Sequence, residues 1–230
     1  MQFDTILFDL DGTLVDTADD LAAALNHALP RLGRPPVAAP SVRHLVGRGA
    51  RALIEQGLAA SGGGTAAEVE AGLADFLAFY TDHLAVHSRP FAGVDSTLDR
   101  LRDQGLRLAV CTNKPFAMAR DLIAGLGWEG RFQALLGGDS LPFRKPDPRH
   151  LLETLARAGG ARPLFVGDSV VDAETAGNAG VPLVLVSFGY STEPVASLGA
   201  DAVIDRFAEL PAAIAAIQQR FNAASAGTAR

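Results

Sequence analysis

The stretch Phe8-Asp9-Leu10-Asp11-Gly12-Thr13-Leu14-Val15-Asp16 decides how this chain is read. Residues 5–8, Thr-Ile-Leu-Phe, precede its carboxylates as a short run of apolar, β-branched and aromatic residues, the pattern of a fully buried strand. A buried strand that runs into Asp-x-Asp-Gly-Thr places two carboxylates at its C-terminal end. In an open parallel sheet that is the edge where ligands bind. Neighbouring carboxylates repel, so one keeps a proton unless a cation intervenes. The pattern suits one nucleophile and one acid/base group gathered around a divalent cation. Gly12 allows a turn where a Cβ would be disfavoured. A plain strand-end turn is the alternative, because Asp and Gly dominate turns. The partners further along the chain decide between the two.

Working outward, 230 residues suffice for one sizeable domain or for a core with an insertion. A hydrophobic fraction of 48% and a charged fraction of 20% are ordinary for a soluble enzyme. The net charge of -6 argues against nucleic acid as a partner, which needs a concentrated basic surface. It leaves a small anionic substrate open, because local charge can oppose net charge. The single cysteine, Cys111, excludes an internal disulfide and a cysteine metal cluster. It lies in the apolar run 107–111 and reads as an inert buried thiol. The N-terminal residues lack a basic, then apolar, leader pattern. No apolar run reaches the length of a membrane span. A cytoplasmic location without a membrane partner is the expectation. His27, His44, His83, His87 and His150 show no zinc-type spacing, and His150 is expected at the surface. Trp128, Tyr80 and the phenylalanines are read as core or packing residues.

Candidate strands fall at 5–8, 106–111, 134–136, 164–166, 183–186 and 202–204, with helical patterns at 97–103, 116–126, 148–157 and 173–178. This alternation predicts a parallel sheet with helices on both faces. Residues 15–86 break it. They read as helices over 17–32, 42–60 and 66–84, separated by segments 33–40 and 61–64 that are rich in Gly and Pro. Gly62-Gly63-Gly64 is a connector, since no strand precedes it and no Lys-Ser/Thr follows. The expected organisation is an α/β core of residues 1–14 and 87–222, a helical cap of 15–86, and a small polar tail, 223–230, that is disordered.

Four further features lie at strand ends. Thr112-Asn113 offers a hydroxyl and an amide for phosphate oxygens. Lys145 sits in Arg144-Lys145-Pro146-Asp147-Pro148, whose prolines stiffen the approach to a helix. Gly167-Asp168-Ser169-Val170-Val171-Asp172 puts two carboxylates one helical turn apart, suited to a hard metal or to helix capping. Gly189-Tyr190 reads as a turn along the same edge. Asp9, Asp11 and Asp168 together would be prohibitive in a half-buried pocket without compensation. Mg²⁺ and Lys145 would supply it.

These segments occur in the order of the four motifs of the haloacid dehalogenase superfamily, which the chain resembles over residues 2–215. Residues 45–50, 110–115, 137–142 and 188–190 are similar to those of bacterial phosphoglycolate phosphatases within it. The resemblance implies a Rossmann-like doubly wound parallel sheet with an inserted helical (type 1) cap. It implies an Mg²⁺-dependent phosphomonoester hydrolase of small metabolites acting through an aspartyl-phosphate, with 2-phosphoglycolate as the first candidate substrate. Sugar phosphates, amino-sugar phosphates and pyrophosphate are alternatives, and a β-phosphoglucomutase-like isomerase is an alternative of another class. By resemblance, Asp9 is the nucleophile, Asp11 the general acid/base, and Lys145 the neutralising cation. Thr112 and Asn113 grip phosphate. Mg²⁺ rests on the Asp9 and Asp168 side chains and the Asp11 backbone carbonyl, with Asp172 behind them orienting metal waters or Lys145. An Asp at position 11 favours a phosphatase over a dehalogenase.

Substrate choice falls to the cap. His44, Arg48 and Arg51 share one face if that segment is helical. Arg48, flanked by Gly47 and Gly49, sits instead in a loop if the glycines break the helix. Arg48 or a neighbouring backbone amide is expected to bind the substrate carboxylate; an ordinary solvated basic face is the other reading. Monomer and homodimer are both left open.

Overall fold

A computed structural model of the protein describes residues 2–227. The chain runs β1 (Thr5–Phe8), β2 (Val15–Asp16), α1 (Ala18–Arg31), α2 (Ala39–Val42), α3 (Ala50–Ala59), α4 (Ala66–Asp82), β3 (Arg89–Pro90), α5 (Val94–Asp103), β4 (Arg107–Cys111), α6 (Phe116–Gly125), β5 (Ala134–Leu136), α7 (Pro148–Arg157), β6 (Pro163–Gly167), α8 (Val170–Ala179), β7 (Leu183–Val186), β8 (Ala202–Ile204) and α9 (Leu210–Gly227). Short 3-10 turns add Arg43–Leu45, Val195–Ser197 and Phe207–Glu209.

Six strands form one parallel sheet in the order β5-β4-β1-β6-β7-β8. Side chains alternate across it with period two. Ile6, Phe8, Val110 and Val166 face one layer, packed with Leu98, Leu101, Ile214 and Ile217 of α5 and α9. Leu7, Ala109, Cys111 and Phe165 face the other, packed with Leu151 of α7 and Ala176 of α8. Both faces of β1 are therefore covered, as its uninterrupted apolar sequence requires. The chain fills the sheet outward from β1 in both directions. The switch point lies at the C-terminal end of β1, where the two carboxylates emerge.

The chain leaves the core just after β1 and returns beside its point of departure. Val15 pairs with Pro90 and Asp16 with Arg89, making a two-stranded antiparallel ribbon that brackets the helical insertion. Two-residue strands are too short to leave a periodic signal in the sequence. Asp20 ties the second crossing by accepting hydrogen bonds from the backbone N–H of His87 (2.9 Å) and Ser88 (2.8 Å) and from the Ser88 hydroxyl (2.7 Å). Within the insertion, Leu21, Leu25 and Leu29 of α1 pack with Leu53, Ile54 and Phe76 of α3 and α4, continuous with one face of the sheet. A reciprocal capping box between Thr65 and Glu68 starts α4.

Three expectations need correction. The helix expected over 42–60 is broken by a loop in which Gly47 (φ 108°) and Gly49 (φ 91°) take left-handed backbone that L side chains avoid. The C-terminal segment does not lose order at 223: α9 continues to Gly227. Its alanines favour helix, and Ile214 and Ile217 anchor its earlier turns. Residues 228–230 lie outside the described residues. His150 is 0% exposed rather than at the surface. It shares the inner face of α7 with Leu151 and Thr154, its Nδ1 3.2 Å from Cys111 Sγ and its Nε2 3.0 Å from the Gly137 carbonyl. No helix among the described residues is long and apolar enough to cross a membrane.

Candidate active site

Asp9 is the first residue beyond β1, fixed by its backbone N–H donating to the Val166 carbonyl at 2.9 Å. Gly12 turns the chain at φ 82°. A Cβ there would stand 2.5 Å from Asp168 Oδ2 and 2.8 Å from the Tyr190 ring. Gly12→Ala thus meets backbone strain of about 1–2 kcal/mol and displaces a site carboxylate. It is expected to lower the urea midpoint and to reduce kcat roughly 100-fold, the scale of a small misplacement of reacting groups. Wild-type values of both would refute this account of the turn.

Lys145 enters from the loop before α7, whose first turn is capped by the Asp147 side chain and stiffened by Pro148. Its Nζ lies 2.9 Å from Asp9 Oδ1 and donates to Asp172 Oδ1 at 2.7 Å. Asp172 lies in the first turn of α8. Its other oxygen accepts from the backbone N–H of Asp168 and Ser169 and from the Ser169 hydroxyl, at 3.2, 3.1 and 2.7 Å. Asp168 accepts from the Thr13 hydroxyl (3.0 Å) and from the Tyr190 backbone N–H (2.7 Å). Gly189 is bare because a Cβ would collide with the Asp168 side chain.

One oxygen each of Asp9, Asp168 and Asp172 lies within 4.8 Å of the others, and all three residues are buried. Burial pushes the Asp9 carboxyl up to about 6, against the opposing pull of Lys145. Burial, then Asp172 and Asp9, push Asp168 well above the ordinary carboxylate range. Burial alone would lower the Lys145 ammonium, but Asp172 and Asp9 outweigh it and hold it above its usual value. Of these three carboxylates, Asp9 and Asp172 pair with the buried Lys145 ammonium and Asp168 does not. Asp9 Oδ1, though beside Lys145, receives no well-directed hydrogen bond among the described residues. An all-oxygen, charge-deficient donor set of this kind fits a hard divalent cation.

Asp11 stands outside that cluster. Its carboxylate accepts from Lys114 Nζ at 3.0 Å, and the same ammonium donates to the Tyr80 hydroxyl at 2.6 Å. Neither Lys114 nor Tyr80 was singled out as a site residue. Lys114 directly follows Thr112-Asn113, so its position at the strand end was the available signal. Tyr80 follows Phe76 by one turn on the inner face of α4, which is indistinguishable from ordinary core in sequence. Thr112 is buried, its hydroxyl accepting from the Lys114 N–H at 3.2 Å. Asn113 donates from Nδ2 to the Lys145 carbonyl (3.1 Å) and, across the cap boundary, to the Gly47 carbonyl (3.5 Å).

Cap and core enclose a cavity of about 40 Å³ lined by Asp9, Asp11, Thr112, Asn113, Lys114 and Tyr80, with Leu21, Leu53, Phe76 and Met118 as apolar wall. Loop residues Val46, Gly47 and Gly49 complete it. Arg48 does not: its exposed side chain lines the neighbouring groove with Ser169 and Tyr190. Arg48 and Arg51 also share no helix face. Arg48 is in the loop, while Arg51 is in α3 and pairs with Glu70 at 2.7 Å. The His44 side chain lies outside the described residues. Tyr190 bridges site and cap. Its hydroxyl accepts from the Thr17 (2.7 Å) and Ala18 (3.0 Å) N–H groups and donates to Asp16 Oδ1 (2.7 Å), at the start of the insertion.

Known proteins resemble this chain in sequence and fold. The chain is 48% identical over 212 residues to a phosphoglycolate phosphatase of Caulobacter vibrioides, covering 91% of this chain and 90% of that protein. It is 44% identical over 217 residues to one of Agrobacterium fabrum, covering 90% and 91%. A crystal structure of a predicted phosphoglycolate phosphatase from Haemophilus somnus superposes with a TM-score of 0.85 at 34% identity, over 91% of this chain and 97% of that one. Residues 6–186 match the family described as haloacid dehalogenase-like hydrolase, and this span holds β1 with its carboxylates, the helical insertion, Lys145 and the Asp168–Asp172 turn; the chain belongs to that family.

Proposed function

We propose that the protein is an Mg²⁺-dependent phosphomonoester hydrolase acting on a small phosphorylated metabolite, 2-phosphoglycolate, in the cytoplasm. The observation that carries the chemistry is the pairing of buried Asp9 with Lys145 at 2.9 Å, in a cavity that the Asp11 carboxylate also lines. The names of the relatives support the substrate.

An Asp9 oxygen attacks phosphorus as the ester P–O bond breaks, giving an aspartyl-phosphate. Asp11 gives its proton to the departing alkoxide, then takes one from the water that attacks the aspartyl-phosphate and frees phosphate and Asp9. Lys145 neutralises Asp9 and the transferring group. Thr112 and Asn113 hold phosphate oxygens, since such transfers rest on positioning and electrostatics. The Asp9 and Asp168 side chains with the Asp11 carbonyl would hold Mg²⁺, which supplies charge neutralisation at the phosphoryl oxygens. Asp172 is committed to Lys145 and to the backbone of residues 168 and 169, so it supports the site from behind.

Phosphate release with Mg²⁺, over 2-phosphoglycolate, hexose phosphates, pyrophosphate and an aryl phosphate, tests the reading. A preference for 2-phosphoglycolate of about 100-fold in kcat/KM is expected, or about 2.7 kcal/mol of differential transition-state binding. EDTA is expected to silence the protein and Mg²⁺ to restore it. A sugar phosphate at the top would discard the substrate, retention of phosphate on a rearranged sugar would make it an isomerase, and activity that survives chelation would remove the metal.

A further inference from the structure

The cavity wall holds a cation that the phosphoryl chemistry does not use. Lys145 is committed to Asp9 and Asp172. Lys114, in contrast, pairs with Asp11 rather than with that cluster, is only 5% exposed, and is the one cationic side chain lining the cavity among the described residues. Its Nζ reaches Asp11 from one side and the Tyr80 hydroxyl from the other, 4.5 Å from the Tyr80 ring centroid. Tyr80 belongs to the cap and Lys114 to the core, so the pair forms only where the two meet over the site.

Burying an ammonium and a phenol costs solvation that a single carboxylate partner does not fully return. The Tyr80 hydroxyl accepts from Lys114, and among the described residues its own O–H has no acceptor. The corner therefore presents an ammonium and an unspent O–H donor to the cavity, next to the apolar wall of Phe76 and Leu53. Asp11, the proposed proton donor to the ester oxygen, lies 3.0 Å from Lys114 Nζ and lines the same cavity as Asp9, so that oxygen lies beside it. A group one or two carbons beyond that oxygen falls to Lys114 and Tyr80.

We propose that Lys114 and Tyr80 form the site for an anionic group on the leaving part of the substrate, a carboxylate on a short carbon chain, and so determine specificity. This takes from Arg48 the role expected of it, because Arg48 lies outside the cavity. It rests on the phosphatase reading and names which residues read the substrate beyond phosphate.

The test compares 2-phosphoglycolate with 2-hydroxyethyl phosphate, its near-isosteric neutral counterpart, in wild type, K114M and Y80F, together with inhibition by glycolate. The ratio of kcat/KM for the two esters is expected to fall roughly 10- to 100-fold in K114M, the loss of one charge-assisted hydrogen bond. A fall of about 10-fold is expected in Y80F, chiefly through KM for the carboxylated ester, and glycolate inhibition weakens in both. Equal slowing of both esters would mean that Lys114 only positions Asp11, and would overturn the proposal. So would a wild-type preference that survives in both variants. If K114M does not fold by circular dichroism, Y80F, which removes one oxygen atom, decides alone. A wild type that does not discriminate the two esters sinks both this proposal and the phosphoglycolate reading. A preference for a different carboxylated ester that K114M abolishes sinks only the phosphoglycolate reading.

Discussion

Asp9→Asn is expected to lower kcat by a factor on the order of 10⁴ or more, the scale of losing a nucleophile, while leaving the fold intact. The two halves of this expectation have one origin. Asp9 is buried beside two other buried carboxylates, and its carboxyl is pushed up to about 6 from 3.8 by that burial. A carboxyl whose folded value lies above its unfolded value opposes folding once ionised. Without a metal, stability falls as pH rises through the interval from about 4 to 6. An amide of the same shape carries no charge, so the variant loses this pH dependence and is no less stable than metal-free wild type at pH 7. Thermal melts across pH, with and without Mg²⁺, read one half and single-turnover phosphate release reads the other. Turnover near the wild-type rate would remove Asp9 as nucleophile. A large loss of stability at pH 7 would mean that its charge is needed to hold Lys145.

Lys145→Met is expected to fail on both counts. The ammonium is the shared partner of Asp9 and Asp172, and its side chain is 1% exposed. Removing one member of a buried ion cluster leaves uncompensated charge and costs about 3–5 kcal/mol. For a domain of this size that is a fall in Tm on the order of 10 °C. Turnover falls with it, because nothing else among the described residues pairs with Asp9. The double variant D9N/K145M separates the effects. Removing Asp9's charge as well is expected to recover part of the lost stability and none of the activity. A Tm in K145M within a degree or two of wild type would show that Lys145 is more solvated in solution than its burial here implies.

Most of the sheet could be read from sequence because its strands are buried on both faces. Runs such as Leu183–Val186 are continuous apolar segments between turns, and their ends are fixed within a residue or two. The buried carboxylates Asp9 and Asp168 could be read for a related reason: each follows on such a strand. The parts that could not be read lack a local signature. The ribbon of β2 and β3 is two residues on each side and is defined by pairing between distant segments. Tyr80 reaches the cavity from the cap across a boundary that no local pattern marks. His150 lies on the inner face of α7, yet its residue type pointed outward. Arg48 was drawn toward the site by its charge and its flanking glycines. Those glycines let the loop backbone line the cavity while the guanidinium turns away from it.

The position of β1 also has a consequence for how the protein acquires its shape. β1 is a central strand, hydrogen-bonded on one side to β4 and on the other to β6. During synthesis, Thr5 must wait for Arg107 and then for Pro163 before both its edges are closed. The helices between residues 18 and 82 pack chiefly against one another, α1 against α3 and α4, and α3 against α4, and need no such wait. Local contacts form faster than distant ones. The helical insertion therefore assembles ahead of the sheet beneath it, and β1 keeps an open edge until β6, Pro163–Gly167, has been made.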